Sequence, residues 1–401
     1  IFESLPGFYV TALLFLPDAS RHPSPFPGVL VPCGHAGEAK AYEEYQTMGA
    51  LLALNGMAAL VFDPIDQGER SQDPSLLPKI WGTSAHTMLG VGSILLGRNT
   101  ARFEIWDGMR AIDYLQSRPE IDPKRIGCTG NSGGGTQTSY LMALDDRIVA
   151  AAVSCYITSF EALLSTIGPQ DAEQNVFGQL AFGMDHADYL MMRAPTPILI
   201  CAATQDFFDI QGTWTSFRYA KRLYTRLGVA ERISLLENDA THNYNKTQRE
   251  GVARWMSRWL LGVDQAIVEP SIALLSAEEA RCTPDGQVMR LAGARSTYDL
   301  NRDFEKEQAA RRRRLWSTTP LSNRLAEVRR LAGVRPLAEL PEPTLELRDA
   351  GDRGGFRVEK ALVTVEDGLY LPGLVFYPQG EPVGNVVLYV HESGKEADAS
   401  P

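Results

Sequence analysis

The sequence predicts an α/β protein whose sheet is mostly parallel and doubly wound. Over residues 7–261, short apolar runs of strand length alternate with longer segments that have helical periodicity. Right-handed crossovers between parallel strands place helices on both faces of such a sheet. Because its ligands bind beyond the carboxyl ends of the strands, polar residues that follow the strands are the candidates for function.

Seven apolar runs are predicted to be the strands, because each has strand length and most are followed by proline, glycine or aspartate. Residues 57–62, for example, are entirely apolar and run into Asp63-Pro64. The runs lie at residues 7–16, 28–31, 57–62, 126–129, 148–154, 197–203 and 232–236.

Five further segments are predicted to be helices, because their apolar residues recur at a spacing of three or four. In residues 100–117 this repeat includes Ile105, Met109 and Ile112. Residues 42–54 are followed by Asn55-Gly56, which is a helix stop signal. The segments lie at residues 42–54, 100–117, 136–144, 213–227 and 247–261.

Two stretches of this region follow neither pattern. Residues 71–99 are glycine-rich and predicted to be irregular, and residues 158–193 are predicted to be a partly helical insertion. Both should shape the substrate pocket, so Trp81, His86 and His186 within them are candidate substrate contacts.

The overall charge and the cysteines argue against several functional classes. The net charge of -10 disfavours a nucleic-acid partner, and no apolar stretch is long enough to cross a bilayer. The five cysteines show no metal-ligand spacing, and their odd number disfavours a complete disulfide framework. Because H-E-x-x-H and a Walker lysine are also missing, we predict neither a metal nor a cofactor.

The most informative motif is G-x-S-x-G at residues 130–134, between a predicted strand and a predicted helix. This context is typical of a nucleophile elbow, in which a strained turn holds the serine and glycines avoid steric collisions. Ser132 is the predicted nucleophile, and the N–H of Gly133 is a predicted oxyanion donor. The alternative is a glycine-rich turn whose serine only caps the helix.

A serine nucleophile needs a base and an acid, and both follow later strands in the expected order. His242 lies in the loop after the last strand of the set and is the predicted base. Asp206 follows the strand at residues 197–203 and is the predicted acid. Asp209 and Glu161 stay open as alternative acids.

The loop after residues 28–31 should supply the second oxyanion donor, because it lies beside the elbow in such sheets. The N–H of either Ala36 or Gly37 is the candidate, while His35 orders the loop or contacts substrate. Gln67 and Arg70 in the next loop are candidate substrate contacts or members of an internal ion pair.

Four motifs resemble the α/β-hydrolase superfamily, and its acetyl xylan esterase and cephalosporin C deacetylase-like branch in particular. The resemblance covers residues 7–261 and implies hydrolysis of small acyl esters, often acetyl groups on carbohydrates, by the triad above. Glucuronoyl esterases look similar but carry an arginine after the nucleophile, where this chain has Gly133. The motifs are Gly34-His-Ala-Gly37, Asp66-Gln-Gly-Glu-Arg70, residues 118–126 and residues 130–134.

The N-terminal pattern returns near the end of the chain, where residues 368–378 parallel residues 7–17 without a gap. Residues 386–391 likewise parallel the strand and loop at residues 29–35, and a strand at residues 357–365 should form a hairpin with residues 368–378. We expect this part to pack on the rest of a second repeat, on the first domain or on another chain. The predicted domains are a catalytic domain at 1–263, a helical or irregular connection at 264–356 and an incomplete second hydrolase-like repeat at 357–401.

The predicted function is that of a serine esterase that forms an acyl-enzyme and acts on a small-molecule or carbohydrate ester. A serine peptidase or an acyltransferase on the same fold is the alternative within enzymes. A non-catalytic binding or scaffolding module is the alternative from another class, and an intact triad argues against it.

Overall fold

The computed structural model describes residues 1–168, 170–380 and 384–395. Internal contacts divide the chain into two compact units, residues 1–309 and residues 310–401. The first unit therefore extends past the predicted domain end at residue 263.

The first unit contains a seven-stranded sheet in the order β3-β5-β4-β6-β7-β8-β9. Only the β3–β5 pair is antiparallel, so the predicted mostly parallel, doubly wound α/β fold is confirmed. Strands β1 and β2 form a separate antiparallel ribbon. The bounds are β1 Phe2–Leu5, β2 Phe8–Val10, β3 Ala12–Phe15, β4 Phe26–Pro32, β5 Ala58–Phe62, β6 Ile121–Asn131, β7 Ile148–Ser154, β8 Ile198–Ala203 and β9 Ile233–Asn238.

Helices cover both faces of this sheet. Successive residues of the central strands point to opposite faces, so Leu30 of β4 packs in one core cluster while Val29 and Val31 pack in the other. Within the described ranges, no helix has both the length and the apolar character needed to span a bilayer. The bounds are α1 Glu43–Leu54, α2 Gly82–Leu95, α3 Ala101–Ser117, α4 Gly133–Leu144, α5 Phe160–Thr166, α6 Gln179–Phe182, α7 His186–Met192, α8 Ile210–Arg226, and α9 Lys246–Met256 with a π-helical turn at Ser257–Leu261.

Two local predictions are corrected by the structure. The single strand predicted at residues 7–16 is split at Thr11, whose hydroxyl donates to the Asp63 carboxylate and whose carbonyl accepts from the Asp63 N–H. The stretch predicted to be irregular contains α2, where three glycines weaken the helical signal. Tertiary packing of the buried face of α2, which includes His86 and Leu89, stabilises this helix.

Residues 264–309 are part of the first unit, although the sequence predicted a connecting region here. The backbone N–H groups of Cys282 and Thr283 both donate to the Glu69 carboxylate at 2.7 Å. The N–H of Leu275 donates to Gln46 of α1 at 3.0 Å. Such contacts between distant parts of the chain cannot be read from local sequence.

The second unit contains an antiparallel sheet in the order β10-β11-β12. The hairpin predicted at residues 357–365 and 368–378 is present, whereas β10 falls in the predicted helical or irregular connection. Residues 386–391, which parallel the strand and loop at residues 29–35 in sequence, have no strand conformation, and Val386 to Val390 are exposed. The tandem repeat itself stays a prediction. The bounds are α10 Thr297–Thr318, which begins in the first unit, α11 Leu321–Leu331, β10 Thr344–Asp352, β11 Phe356–Glu366 and β12 Leu369–Pro378.

A buried ion cluster joins the segment before α1 to the loop after β5. Lys40 is 2% exposed, and its Nζ donates to Asp63 at 2.8 Å and to Glu69 at 2.6 Å. Burial alone would lower the pKa of Lys40, but the two carboxylates outweigh it and raise that pKa above its ordinary value.

Replacing Lys40 by methionine is expected to lower the free energy of unfolding by about 3–5 kcal/mol, because two buried carboxylates lose their cation. The measurement is the urea midpoint of the full chain. Lys246→Met removes an exposed lysine that lies 3.7 Å from Glu250, and should change stability by no more than about 0.5 kcal/mol. Equal midpoints for both variants would contradict the proposed importance of the cluster.

Candidate active site

Ser132 lies in a strained turn between β6 and α4. Its backbone has φ 58° and ψ -124°, a conformation that non-glycine residues rarely adopt. A Cβ at Gly130 would lie 2.5 Å from the Gly134 carbonyl oxygen, and one at Gly134 would lie 2.2 Å from the Pro32 carbonyl oxygen. The glycines of the motif are therefore required by close packing, as expected for a nucleophile elbow. The N–H of Ser132 donates to Ser154 of β7 at 3.0 Å, which fixes the turn.

His242 and Asp206 form a close pair at the same edge of the sheet. The Nδ1 atom of His242 lies 2.9 Å from both carboxylate oxygens of Asp206. The Asp206 side chain is 1% exposed and also accepts from the Phe208 N–H at 3.0 Å, so its orientation is fixed. Because a deprotonated carboxylate only accepts hydrogen bonds, Nδ1 carries the proton and Nε2 is left as the basic nitrogen.

The two alternative acids have other environments. The carboxylate of Asp209 accepts from the N–H groups of Gln211 and Gly212, and so caps α8. Glu161 is exposed in the first turn of α5. Of the three candidates, Asp206 is the one in contact with His242.

A cleft of about 410 Å³ opens beside Ser132. Phe207 and Phe208 line this cleft together with Ser132, and the Phe207 ring stacks on His242 with 4.3 Å between ring centroids. Strands β6, β8 and β9 are parallel, so the residues that follow them converge at one edge. Among the described residues, the Ser132 hydroxyl makes no hydrogen bond; catalytic hydrogen bonds often tighten only when substrate binds.

The loop after β4 packs directly on the elbow. A Cβ at Gly34 would lie 3.0 Å from the Ser132 Cβ, and the His35 ring lies 3.0 Å from the position of a Cβ at Gly133. The Gly34 N–H is already engaged by the Tyr45 hydroxyl at 2.6 Å. We therefore propose the His35 N–H as the second oxyanion donor.

The residues predicted for that role lie further along the loop. Ala36 packs against the core cluster that contains Val29 and Val31. The carbonyl of Gly37 accepts from the Gly68 N–H at 3.1 Å, which ties it to the neighbouring loop.

Several predicted substrate contacts are structural instead, because their side chains are buried. Gln67 donates to the Gly34 carbonyl at 2.6 Å, and Arg70, fully buried, pairs with Asp107 at 2.8 Å. His186 is fully buried and its Nδ1 accepts from the Thr158 N–H at 3.0 Å; burial lowers its pKa to about 4.

Trp81 and His86 lie on either side of the N-terminal turn of α2. Trp81 is 42% exposed but does not line the cleft. His86 is 1% exposed, so it does not contact substrate; its imidazole lies against His35.

Asp171 and Glu173, which sequence reasoning missed, approach His35 and His86. They lie in the insertion at residues 158–193, and no spacing signal links them to the histidines. Burial lowers the pKa of His35, but Asp171 and Glu173 outweigh it and raise that pKa to about 9. These four residues could hold a metal ion.

A second group of possible metal ligands consists of Cys155, Asp206 and His242. Burial, followed by the charge of Asp206, raises the pKa of the Cys155 thiol above its ordinary value, which disfavours the thiolate that a metal requires. The short distances within this group are explained by the pairing of Asp206 with His242.

Comparisons with known proteins agree with the fold and with the motifs. The model of the acetyl xylan esterase family (AXE1) matches residues 1–182. YtaP of Bacillus subtilis (strain 168), provisionally named a hydrolase, is 26% identical over 178 residues, which are 43% of this chain and 57% of YtaP.

Among solved structures, the methylesterase BT1017 superposes with a TM-score of 0.60 at 22% identity, covering 77% of this chain and 65% of that one. A CE15 glucuronoyl esterase from Caldicellulosiruptor kristjansonii gives a TM-score of 0.48 at 20% identity, covering 66% of this chain and 77% of that one.

The chain thus spans less than two thirds of both YtaP and BT1017. The α/β-hydrolase fold is confirmed, as is the resemblance of residues 1–182 to the acetyl xylan esterase family. None of these comparisons assigns the triad or the second repeat.

Proposed function

We propose that this protein is a serine carboxylic ester hydrolase with Ser132 as nucleophile, His242 as base and Asp206 as the orienting acid. The observation that carries the proposal is the His242–Asp206 pair, whose imidazole stacks on Phe207, a residue that lines the same cleft as the strained Ser132. A non-catalytic scaffold would not need a serine in a strained backbone conformation with φ 58°. Nor would it need a buried carboxylate in contact with a histidine.

In the proposed mechanism, His242 Nε2 takes the Ser132 proton while the hydroxyl oxygen attacks the ester carbonyl. The negative charge that develops on the carbonyl oxygen is stabilised by the N–H groups of Gly133 and His35. His242 then gives the proton to the departing alcohol, which leaves an acyl-enzyme. A water molecule, deprotonated by His242, releases the acid and restores Ser132.

The cleft lining supports an uncharged, hydroxyl-bearing substrate. Thr83, Ser84 and Gln170 offer donors and acceptors, whereas Ile167 and Phe207 offer apolar surface. No lysine or arginine is among the described residues that line the cleft, and the imidazole of His35 already lies 3.0 Å from both Asp171 and Glu173, which disfavours pairing with a uronate carboxylate. Together with the acetyl xylan esterase match over residues 1–182, this favours short acyl esters, such as acetyl groups, on a neutral carbohydrate.

Two assays test the ester hydrolase proposal. A fluorophosphonate probe is expected to label one serine per chain, and mass spectrometry should locate the label at Ser132. A series of p-nitrophenyl esters from acetate to octanoate should give its highest kcat/KM at the short end. Absence of both labelling and turnover would remove the proposal, and peptide cleavage or acyl transfer without ester hydrolysis would favour the alternative enzymes.

The ring of Phe207 is expected to stack on the carbohydrate part of the substrate, because Phe207 is 45% exposed and lines the cleft. Phe207→Ala should lower kcat/KM for acetylated xylooligosaccharide about fivefold more than for p-nitrophenyl acetate, from a stacking contribution of about 1 kcal/mol. Comparing two substrates cancels any effect through the stacked His242. Equal losses on both would show that the ring has no part in carbohydrate binding.

A further inference from the structure

Four side chains from three parts of the first unit converge beside the elbow. They are His35 after β4, His86 of α2, and Asp171 and Glu173 of the insertion at residues 158–193, and we call them the His–carboxylate cluster. Asp171, Glu173 and His86 have side chains that are 5%, 1% and 1% exposed, and His35 is 15% exposed.

The distances within this cluster match those between ligands of one metal ion. His35 Nε2 lies 3.0 Å from oxygens of both Asp171 and Glu173 and 3.2 Å from His86 Nδ1. His86 Nδ1 lies 2.9 Å from Glu173 and 3.4 Å from Asp171. In a tetrahedral site with metal–ligand bonds of about 2.0–2.1 Å, neighbouring ligands are about 3.3–3.4 Å apart.

The surrounding contacts prepare the ligand atoms for a metal. His86 Nε2 lies 2.8 Å from the Ile65 carbonyl oxygen, so Nε2 carries the proton and the lone pair of Nδ1 points into the cluster. Gln174 donates to Asp171 Oδ1 at 2.8 Å and to Glu173 Oε1 at 3.3 Å, which orients both carboxylates. This is the outer hydrogen-bonding shell that metal ligands usually have.

Hydrogen bonding within the cluster does not satisfy its atoms. Asp171 Oδ2 and Glu173 Oε2 are buried and accept no hydrogen bond from any described residue, although each lies within 3.4 Å of an imidazole nitrogen. His35 Nε2 and His86 Nδ1 face each other at 3.2 Å, so only one proton can lie between them. One divalent cation would satisfy all four groups at once and neutralise two buried charges.

We propose that the His–carboxylate cluster binds one divalent first-row transition-metal ion, with Zn²⁺ as the best match. Two imidazoles and two carboxylates suit the ligand preferences of Zn²⁺, and the spacing of the four groups fits its tetrahedral geometry. The ion binds to neutral histidines, so binding releases any proton they hold. The site was missed by spacing rules because its ligands are 51, 85 and 2 residues apart along the chain.

The ion would position the oxyanion loop, a role that rests on the proposed function. His35 contributes Nε2 to the cluster, while its other ring edge lies 3.1 Å, at Nδ1, from the position of a Cβ at Gly133. Fixing this ring would therefore fix the backbone N–H of His35 relative to Ser132. Neither Ser132 nor His242 is among the four ligands, so His86, Asp171 and Glu173 are positioning residues.

The test uses the full chain after treatment with a chelator. Titration with Zn²⁺, followed by calorimetry and elemental analysis, is expected to show one ion per chain and a rise in melting temperature. Glu173→Gln keeps the shape of the side chain and should weaken Zn²⁺ binding at least tenfold. His22→Gln, which removes a histidine outside the cluster, should bind as the wild type does.

Absence of stoichiometric Zn²⁺ binding by the wild type, or unchanged binding by Glu173→Gln, would overturn the proposal. If Glu173→Gln does not fold, Asp171→Asn makes the same comparison. The positioning role has its own readout: chelation should lower kcat for p-nitrophenyl acetate several-fold, and Zn²⁺ should restore it. Because Zn²⁺ binding is measured without substrate, failure of the ester hydrolase proposal would leave this result interpretable.

Discussion

Replacing Ser132 by alanine is expected to lower kcat/KM for p-nitrophenyl acetate about 10⁶-fold, to near the background rate. The hydroxyl of Ser132 is the only atom of the elbow that can form the acyl-enzyme, so no partial mechanism survives its removal. The fold should be unaffected, because this hydroxyl makes no hydrogen bond to another described residue and alanine is compatible with the size of the turn. The measurement is steady-state hydrolysis at several substrate concentrations, with labelling by the fluorophosphonate probe in parallel.

Ser165→Ala is the matched control for this variant. Ser165 is exposed on α5 and its hydroxyl donates to the Ala162 carbonyl within the same helix, so activity should stay within about twofold of wild type. Equal rates in the wild type and Ser132→Ala would show that the hydrolysis does not use the elbow. The assignment of the nucleophile would then be wrong, whatever the fold.

The three residues proposed for catalysis could be selected from the sequence because each follows a strand at the carboxyl edge of a parallel sheet. Ser132 is marked by a local motif that the backbone requires, since a Cβ at Gly134 would lie 2.2 Å from the Pro32 carbonyl oxygen. Asp206 and His242 carry no motif of their own, and they were proposed because of their positions after β8 and β9. Local periodicity was sufficient to locate these strands along the chain.

Other features depend on contacts between distant segments and could not be predicted. Asp171 and Glu173 lie in an insertion without a repeating pattern, and only the fold brings them to His35. The Lys40 cluster likewise depends on residues 282 and 283, in a region that the sequence assigned to a connection. Arg70 was left open between a substrate contact and an ion pair within its own loop, but it is completely buried and its partner, Asp107, lies on α3 outside that loop.

Replacing Asp206 by asparagine is expected to lower kcat about 10⁴-fold with little change in folding. The asparagine amide would donate to His242 Nδ1 and thus favour the tautomer with its proton on Nε2, where the ring cannot accept the Ser132 proton. The asparagine oxygen can still accept from the Phe208 N–H, which retains the local structure. The measurement is kcat for p-nitrophenyl acetate, together with the stoichiometry of fluorophosphonate labelling.

The two other acids considered from the sequence provide matched controls for Asp206→Asn. Glu161→Gln changes an exposed side chain. Asp209→Asn replaces one good N-cap residue of α8 by another. Both variants should therefore retain kcat within about threefold of the wild type. A loss of 10³-fold or more in either control, with activity retained in Asp206→Asn, would transfer the role of the acid to that residue. The 2.9 Å contacts between Asp206 and His242 make the opposite outcome the expected one, since a carboxylate acts on the base only by direct contact with its ring.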